Sequence, residues 1–187
     1  MTGTGYHPSK ILTPANVITI ARLVLSVPWL VLVARDGATW LTFTLGFVLG
    51  ASDFVDGWLA RRQGTTNSGA FLDPLADKVL VLGGMFALVV RGRFDPLPVG
   101  LIAGRELVIS AWRSYAGRRG VSVPARTAAK WKTFVQQLAI GAAILPVLAD
   151  RSDVPGDVLL WTAVALTLWT GFDYLRDAGR TMRGMPA

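Results

Sequence analysis

The amino-acid sequence predicts an all-α integral membrane protein with six transmembrane helices and a polar cavity that opens to the cytoplasmic side. The 187 residues are 52% hydrophobic and have a mean hydropathy of +0.45. The apolar side chains come in blocks of helix length, and a helix needs about 20 residues to cross the hydrocarbon layer. Charged residues interrupt several blocks near one end, and those ends are expected to face a polar cavity or the membrane interface.

The predicted elements occupy nearly the whole chain. A polar interfacial segment at residues 1–14 precedes a transmembrane domain at residues 15–182, and residues 183–187 form a C-terminal tail. Pro14 is typical of a helix start, because proline is favoured at the first helical positions. With about 20 residues in each span, the six helices are expected at roughly 16–34, 38–62, 70–91, 96–117, 127–149 and 156–180.

The distribution of basic residues predicts the orientation. An N-terminus in the cytoplasm leaves four of the 19 Lys and Arg residues in outer loops, namely Arg35, Arg91, Arg93 and Arg151. The other fifteen lie on the cytoplasmic side, as the positive-inside rule requires. The net charge of +7 reflects this topology and attraction to anionic headgroups, or a basic pocket for phosphorylated substrates. Nucleic acid is not an expected partner, because no soluble domain presents the basic residues.

Four aspartates lie within a stretch that otherwise reads as membrane: Asp53, Asp56, Asp73 and Asp77. A carboxylate near hydrocarbon costs at least ~2.5 kcal/mol, so the group needs a compensating charge. Helical spacing puts the first two on one stripe and the last two on a stripe of the next helix. Two antiparallel helices can turn these stripes towards each other near the cytoplasmic surface. The oxygen ligands predict a site for two divalent cations, which is typical of phosphoryl chemistry.

Small residues accompany the acidic stripes. Gly57, Ala60 and Gly69 leave space beside the carboxylates, where a bulky ligand such as a nucleotide can approach the backbone. The alternative is that small residues allow close helix packing in membranes. We prefer packing for the glycines outside the motif, which are Gly46, Gly50, Gly83 and Gly84.

A second set of charges falls in the fourth and fifth predicted helices. Arg105 and Arg113 lie in the fourth helix, and Lys130 and Lys132 open the fifth. Arginine and lysine suit phosphate recognition, as a planar fork and a point charge respectively. The alternative for Glu106 is a structural one, because a buried cation is costly unless it is paired.

The motif from Asp53 to Asp77 resembles the signature of the CDP-alcohol phosphotransferase family. That signature is D-x2-D-G-x2-A-R, a spacer, and G-x3-D-x3-D, and every fixed residue is present. The spacer has seven residues, one fewer than is usual in the family. Four further stretches are similar to the bacterial members that join CDP-diacylglycerol to sn-glycerol 3-phosphate and release CMP: residues 14–22, 70–78, 104–106 and 129–133.

The resemblance implies a catalytic role for the transmembrane domain and a location in a bacterial plasma membrane, with the active site facing the cytoplasm. It implies that Asp53, Asp56, Asp73 and Asp77 bind Mg²⁺ or Mn²⁺, with two ions expected, and that Asp77 is also the catalytic base. It places the cytidine diphosphate portion among Asp56, Gly57, Ala60, Arg61 and Gly69. Arg105, Arg113, Lys130 and Lys132 then bind the acceptor phosphate, and the protein is expected to be a homodimer.

Alternatives remain within and outside this family. Other members make cardiolipin or phosphatidylinositol phosphate, and the basic residues separate glycerol phosphate from inositol phosphate poorly. A divalent-cation transporter is the alternative from another class, because intramembrane carboxylates also mark ion pathways. The aspartates lie on one side of the membrane and do not cross it, which argues against transport.

Overall fold

The computed structural model describes residues 13–63, 67–118 and 127–183. All regular structure in these ranges is helical, in agreement with the predicted all-α class. The helices are α1 (Pro14–Asp36), α2 (Trp40–Gln63), α3 (Asn67–Val90), α4 (Pro96–Arg118), α5 (Thr127–Ile144), α6 (Pro146–Ala149) and α7 (Val154–Arg183). Inside them, side chains are not described at positions 15, 54, 56–63, 67–71, 116–118, 127–130, 173–175 and 177–183. The predicted tail and most of the interfacial segment lie outside the described residues.

Capping hydrogen bonds mark both ends of the first helix. The Thr13 side chain accepts a hydrogen bond from the Asn16 backbone N–H at 3.2 Å, and Pro14 follows the cap, so the predicted helix start is confirmed. At the other end, Gly37 has φ +70° and donates its N–H to the carbonyl of Val33. A side chain at position 37 would be strained in this conformation and would lie 2.9 Å from Nε of Arg91.

The fifth span is predicted at residues 127–149, and its predicted end is wrong. The helix stops at Ile144, and a separate single turn, α6, follows. Leu145 takes the extended conformation (φ −75°, ψ 114°) that is favoured for a residue before proline. Pro146 also has no N–H with which to continue the helical hydrogen bonds.

The first helix is the centre of one half of the bundle. α1 packs extensively against both α2 and α3, whereas α2 and α3 contact each other little among the described residues. α7 plays the corresponding role in the other half, since it packs against α5 and α4. The halves meet through smaller contacts of α3 with α4 and α5, and of α2 with α5.

The Trp29 side chain of α1 packs against both α2 and α3. It is buried, and its indole N–H donates to the carbonyl of Thr42 at 2.9 Å. A Cβ at Gly46 or at Gly84 would lie 2.9 Å from the Trp29 ring. Gly83 faces a different side chain, that of Leu30, at the same distance. The packing interpretation is therefore confirmed for three of the four glycines outside the motif.

Gly50 is the exception. A Cβ there would meet nothing within 4 Å, so close packing is the wrong explanation for this glycine. It borders an open groove, which is described with the site below.

The surface carries many large hydrophobic side chains, and the interior includes several polar ones. Large hydrophobic side chains are exposed on all six long helices, including Phe47 on α2 and Trp169 on α7. Buried polar side chains include Asn16, Arg22 and Lys132. Within the described residues, two helical segments, Asn16–Asp36 and Val154–Phe172, are long and apolar enough to cross a membrane.

The packing of Trp29 against Gly46 generates the first prediction. Gly46→Ala should lower the stability of the protein by roughly 1–3 kcal/mol, because the new methyl group overpacks against the ring. The measurement is the thermal unfolding midpoint of purified protein in detergent. Gly50→Ala is the matched control on the same helix and should be neutral or stabilising, since alanine favours helix and meets free space. Equal shifts of the unfolding midpoint in the two variants would contradict close packing of Trp29 against Gly46.

Candidate active site

The bonds between side chains of different helices lie towards one end of the bundle. This is the end at which α1, α3 and α5 begin and α2, α4 and α7 finish. In the described parts of the chain, these bonds between two side chains are Thr19–Asp73, Arg22–Asp53, Lys78–Ser110, Arg105–Thr170, Lys132–Glu106 and Gln136–Thr167. The opposite end holds the apolar core. The bundle is thus divided into an apolar structural end and a polar end that carries the candidate site.

Three of the four predicted aspartates have described side chains, and each is held differently. Arg22 donates to Oδ1 of Asp53, and Thr19 donates to Oδ1 of Asp73 at 2.9 Å. Asp77 lies close enough to Asp53 for their like charges to repel. Asp53 on α2 and Asp77 on α3 are therefore near enough to each other to interact through charge.

The two acidic stripes do not approach by direct packing of their helices. α1 lies against both α2 and α3, and its buried residues Thr19 and Arg22 contact one stripe each. Sequence analysis missed this role of α1, although the signal was present. An arginine within an apolar run, at helical spacing from Asn16 and Thr19, marks a polar stripe on the first helix.

The basic residues form a second cluster around one acid. Both Arg105 and Lys132 bond to Oε1 of Glu106, the arginine at 3.1 Å. Arg105 also donates to the hydroxyl of Thr170 at 3.2 Å. Gly171 makes room for this arginine, since a Cβ there would lie 2.9 Å from its Nε. The structural interpretation of Glu106 is confirmed, because it neutralises two buried or half-buried cations.

Asp77 connects the acidic and basic clusters. Its carboxylate interacts through charge with Arg22 and Asp53, and also with Lys132 and Glu106. Asp77 is therefore near members of both clusters.

The remaining predicted residues lie apart from these contacts or outside the described side chains. Arg113 is exposed on α4, two helical turns beyond Arg105. The side chains of the others are not described, and these residues are Asp56, Gly57, Ala60, Arg61, Gly69 and Lys130. Their positions in α2, α3 and α5 put them at the polar end of the bundle.

The predicted aspartates offer oxygen atoms, which are the ligand type for a hard divalent cation. Among the described side chains, no three acidic or histidine residues are grouped closely enough to hold a metal ion, and Asp56 is not in that set. Asp53 and Asp73 use Oδ1 for their bonds to α1, and a carboxylate has two oxygens with which to accept. Carboxylate oxygens are the ligands that Mg²⁺ prefers. Asp53, Asp73 and Asp77 with Asp56 would supply four of them.

An apolar groove leads away from the acidic cluster. It has a volume of about 660 Å³ and runs between α2 and α5, with residues such as Phe47 and Leu138 in its walls. Ala51, two residues before Asp53, lies at one end, and Leu148 lies at the other. The groove exists because α2 packs on α1 and makes few contacts with α5.

Comparison with known proteins shows the family to which the chain belongs. The model of the family described as CDP-alcohol phosphatidyltransferase matches residues 12–169. A CDP-diacylglycerol–glycerol-3-phosphate 3-phosphatidyltransferase of Rickettsia bellii is 36% identical over 169 residues, which are 86% of this chain and 92% of the relative. A relative of the same name from Haemophilus influenzae is 33% identical over 86% of this chain and 90% of its own. A probable phosphatidylglycerophosphate synthase of Mycobacterium tuberculosis is 36% identical over 95% and 87%.

The Glu106 cluster generates the second prediction. Glu106→Gln leaves Arg105 and Lys132 without their shared counter-charge and should destabilise the protein by about 3–5 kcal/mol. Adding Lys132→Met removes one of the stranded cations and should restore part of the loss. The double-mutant cycle is measured by thermal unfolding in detergent. Additive effects of the two changes would show that the pair is not coupled.

Proposed function

Because the chain belongs to the CDP-alcohol phosphatidyltransferase family, we propose that it transfers the phosphatidyl group of CDP-diacylglycerol to sn-glycerol 3-phosphate. The products are phosphatidylglycerophosphate and CMP, and the reaction belongs to phospholipid biosynthesis. One observation carries this proposal: an acidic cluster and a basic cluster meet at Asp77 at the same end of the bundle. A reaction between a nucleotide lipid and a phosphorylated alcohol needs both kinds of site.

The protein would act within the plasma membrane of a bacterium. All six long helices would span the bilayer, and the polar end would open to the cytoplasm, where glycerol 3-phosphate is supplied. The exposed apolar side chains on each of these helices and the distribution of basic residues support this topology. A homodimer is the expected assembly, from the family resemblance.

Asp53, Asp56, Asp73 and Asp77 would hold Mg²⁺ or Mn²⁺, and two ions are expected. When bound, the metal supplies positive charge that stabilises the oxygens of the phosphoryl group under attack and of the leaving group. The pairing of Asp53 with Arg22 keeps part of the acidic charge neutralised within the protein itself.

The cytidine diphosphate portion would lie between the last turns of α2 and the first turn of α3. Asp56, Gly57, Ala60, Arg61 and Gly69 are proposed to surround it, with Arg61 close to a phosphate. The small residues let the nucleotide approach the helix backbone. The apolar groove beside Ala51 would provide a suitable place for an acyl chain, because its lining is apolar and Ala51 is two residues from Asp53.

The acceptor phosphate would be bound by Arg105, Arg113, Lys130 and Lys132. Glu106 holds the Arg105 and Lys132 side chains in place before the acceptor arrives, and both cations retain donors for a phosphate. Asp77 then faces the acceptor hydroxyl. One of its carboxylate oxygens takes the proton as the acceptor oxygen attacks the lipid-linked phosphorus, in the way that an aspartate serves protein kinases.

An acceptor screen tests the proposed function. Purified protein with CDP-diacylglycerol and Mg²⁺ should release CMP when sn-glycerol 3-phosphate is added, and chelation of the metal should stop the release. Inositol phosphate and phosphatidylglycerol are the competing acceptors. CMP release with only one of these two would assign the protein to another branch of the family. Metal flux through vesicles without CMP release would support the transporter alternative.

The position of Asp77 generates the third prediction. Asp77→Asn should abolish CMP release but leave CDP-diacylglycerol binding largely intact, because three carboxylates remain for the metals. Binding is measured by calorimetry on the same preparation that is assayed for turnover. Asp157→Asn, an acid at the opposite end of the bundle, is the control and should keep full activity. Loss of binding together with turnover would make Asp77 chiefly a metal ligand.

A further inference from the structure

The first helix carries a buried polar stripe to which the proposed reaction assigns no role. Asn16, Thr19, Arg22 and Ser26 recur at intervals of three or four residues and are each at most 2% exposed. The other residues of α1 between Asn16 and Ala34 are apolar, and some of them, such as Val24, are exposed. A stripe of this kind within a hydrophobic helix is expensive to bury unless its members bond to something.

Two members of the stripe bond to the acidic helices on either side. The Thr19 hydroxyl donates to Oδ1 of Asp73 on α3 at 2.9 Å. One turn later, Arg22 donates to Oδ1 of Asp53 on α2. Since α2 and α3 contact each other little among the described residues, α1 sets the separation of the two carboxylates.

In the Arg22–Asp53 pair, the arginine is the more deeply buried partner. The Arg22 side chain is 1% exposed, whereas the Asp53 side chain is 42% exposed. The arginine is anchored among the helices, and the carboxylate lies at the edge of the open site. Each contact uses Oδ1, and the second oxygen of each aspartate can then serve a cation.

We propose that Thr19 and Arg22 are positioning residues that orient Asp73 and Asp53 for divalent-metal binding. The inference rests on the proposed function, in which these aspartates hold the metal. Side chains that bond to metal ligands fix ligand orientation, and their loss usually weakens metal binding by about 10–100-fold. Thr19 acts on the α3 ligand and Arg22 on the α2 ligand, so α1 aligns both halves of the site.

Thr19→Val tests the proposal because it keeps the shape of the side chain and removes the hydroxyl donor. Mn²⁺ is titrated into purified protein in detergent without substrate, and free Mn²⁺ is followed by electron paramagnetic resonance. The dissociation constant should rise about 10–100-fold. Thr19→Ser restores the donor and should bind Mn²⁺ nearly as tightly as the unmodified protein. Ser26→Ala, whose hydroxyl bonds only within α1 at the carbonyl of Arg22, is the control and should not change the constant.

Kinetics on the same proteins separate positioning from general damage. In Thr19→Val, the Mg²⁺ concentration for half-maximal CMP release should rise, while the KM for sn-glycerol 3-phosphate stays unchanged. Arg22→Lys keeps the charge and loses the planar fork, and it should also weaken Mn²⁺ binding. It serves as the second variant if valine at position 19 prevents folding.

The outcomes distinguish this inference from the proposed function. If the unmodified protein binds Mn²⁺ and releases CMP, and both folded variants bind Mn²⁺ with unchanged affinity, the positioning role is overturned alone. If the unmodified protein neither binds Mn²⁺ nor depends on metal for CMP release, the metal site of the proposed function is overturned as well.

Discussion

A charge enclosed between helices of an apolar bundle needs a partner, and the arrangement of this protein follows from that requirement. Each buried cation at the polar end meets an acid from another helix: Arg22 meets Asp53, and Lys132 meets Glu106. Without these pairs the desolvation cost of each ion would amount to several kcal/mol. The pairs therefore decide which helices can be neighbours and which faces they turn inward.

The same requirement separates the two ends of the bundle. The apolar end packs through shape, with Trp29 fitted against Gly46 and Gly84. The polar end is joined by hydrogen bonds and ion pairs, which are directional and leave oxygen and nitrogen atoms facing an open site. A closely packed apolar end gives the polar end a firm base, so reactive side chains can be held in position without filling the space between them.

The acidic and basic clusters belong to different halves of the bundle, and Asp77 interacts through charge with both. α1 organises the acidic half, and α7 supports the basic half through the contact of Thr170 with Arg105. The helices that carry the candidate site residues are thus packed against α1 in one half and against α7 in the other. In the proposed reaction, this division would let two substrates of different chemistry bind side by side in a chain of 187 residues.

The sequence by itself determined the helical class, the start of the first helix at Pro14 and the identity of the four aspartates. These features depend on local spacing and on residue chemistry, which a linear pattern records. The tertiary structure alone decided that α1 lies against both acidic helices, that Glu106 neutralises Arg105 together with Lys132, and that Asp77 lies near members of both clusters. The break before Pro146 could be predicted from the proline itself, but counting apolar residues does not detect it. Contacts between distant helices depend on how burial and charge pairing are satisfied together in three dimensions, and no spacing along the chain specifies that.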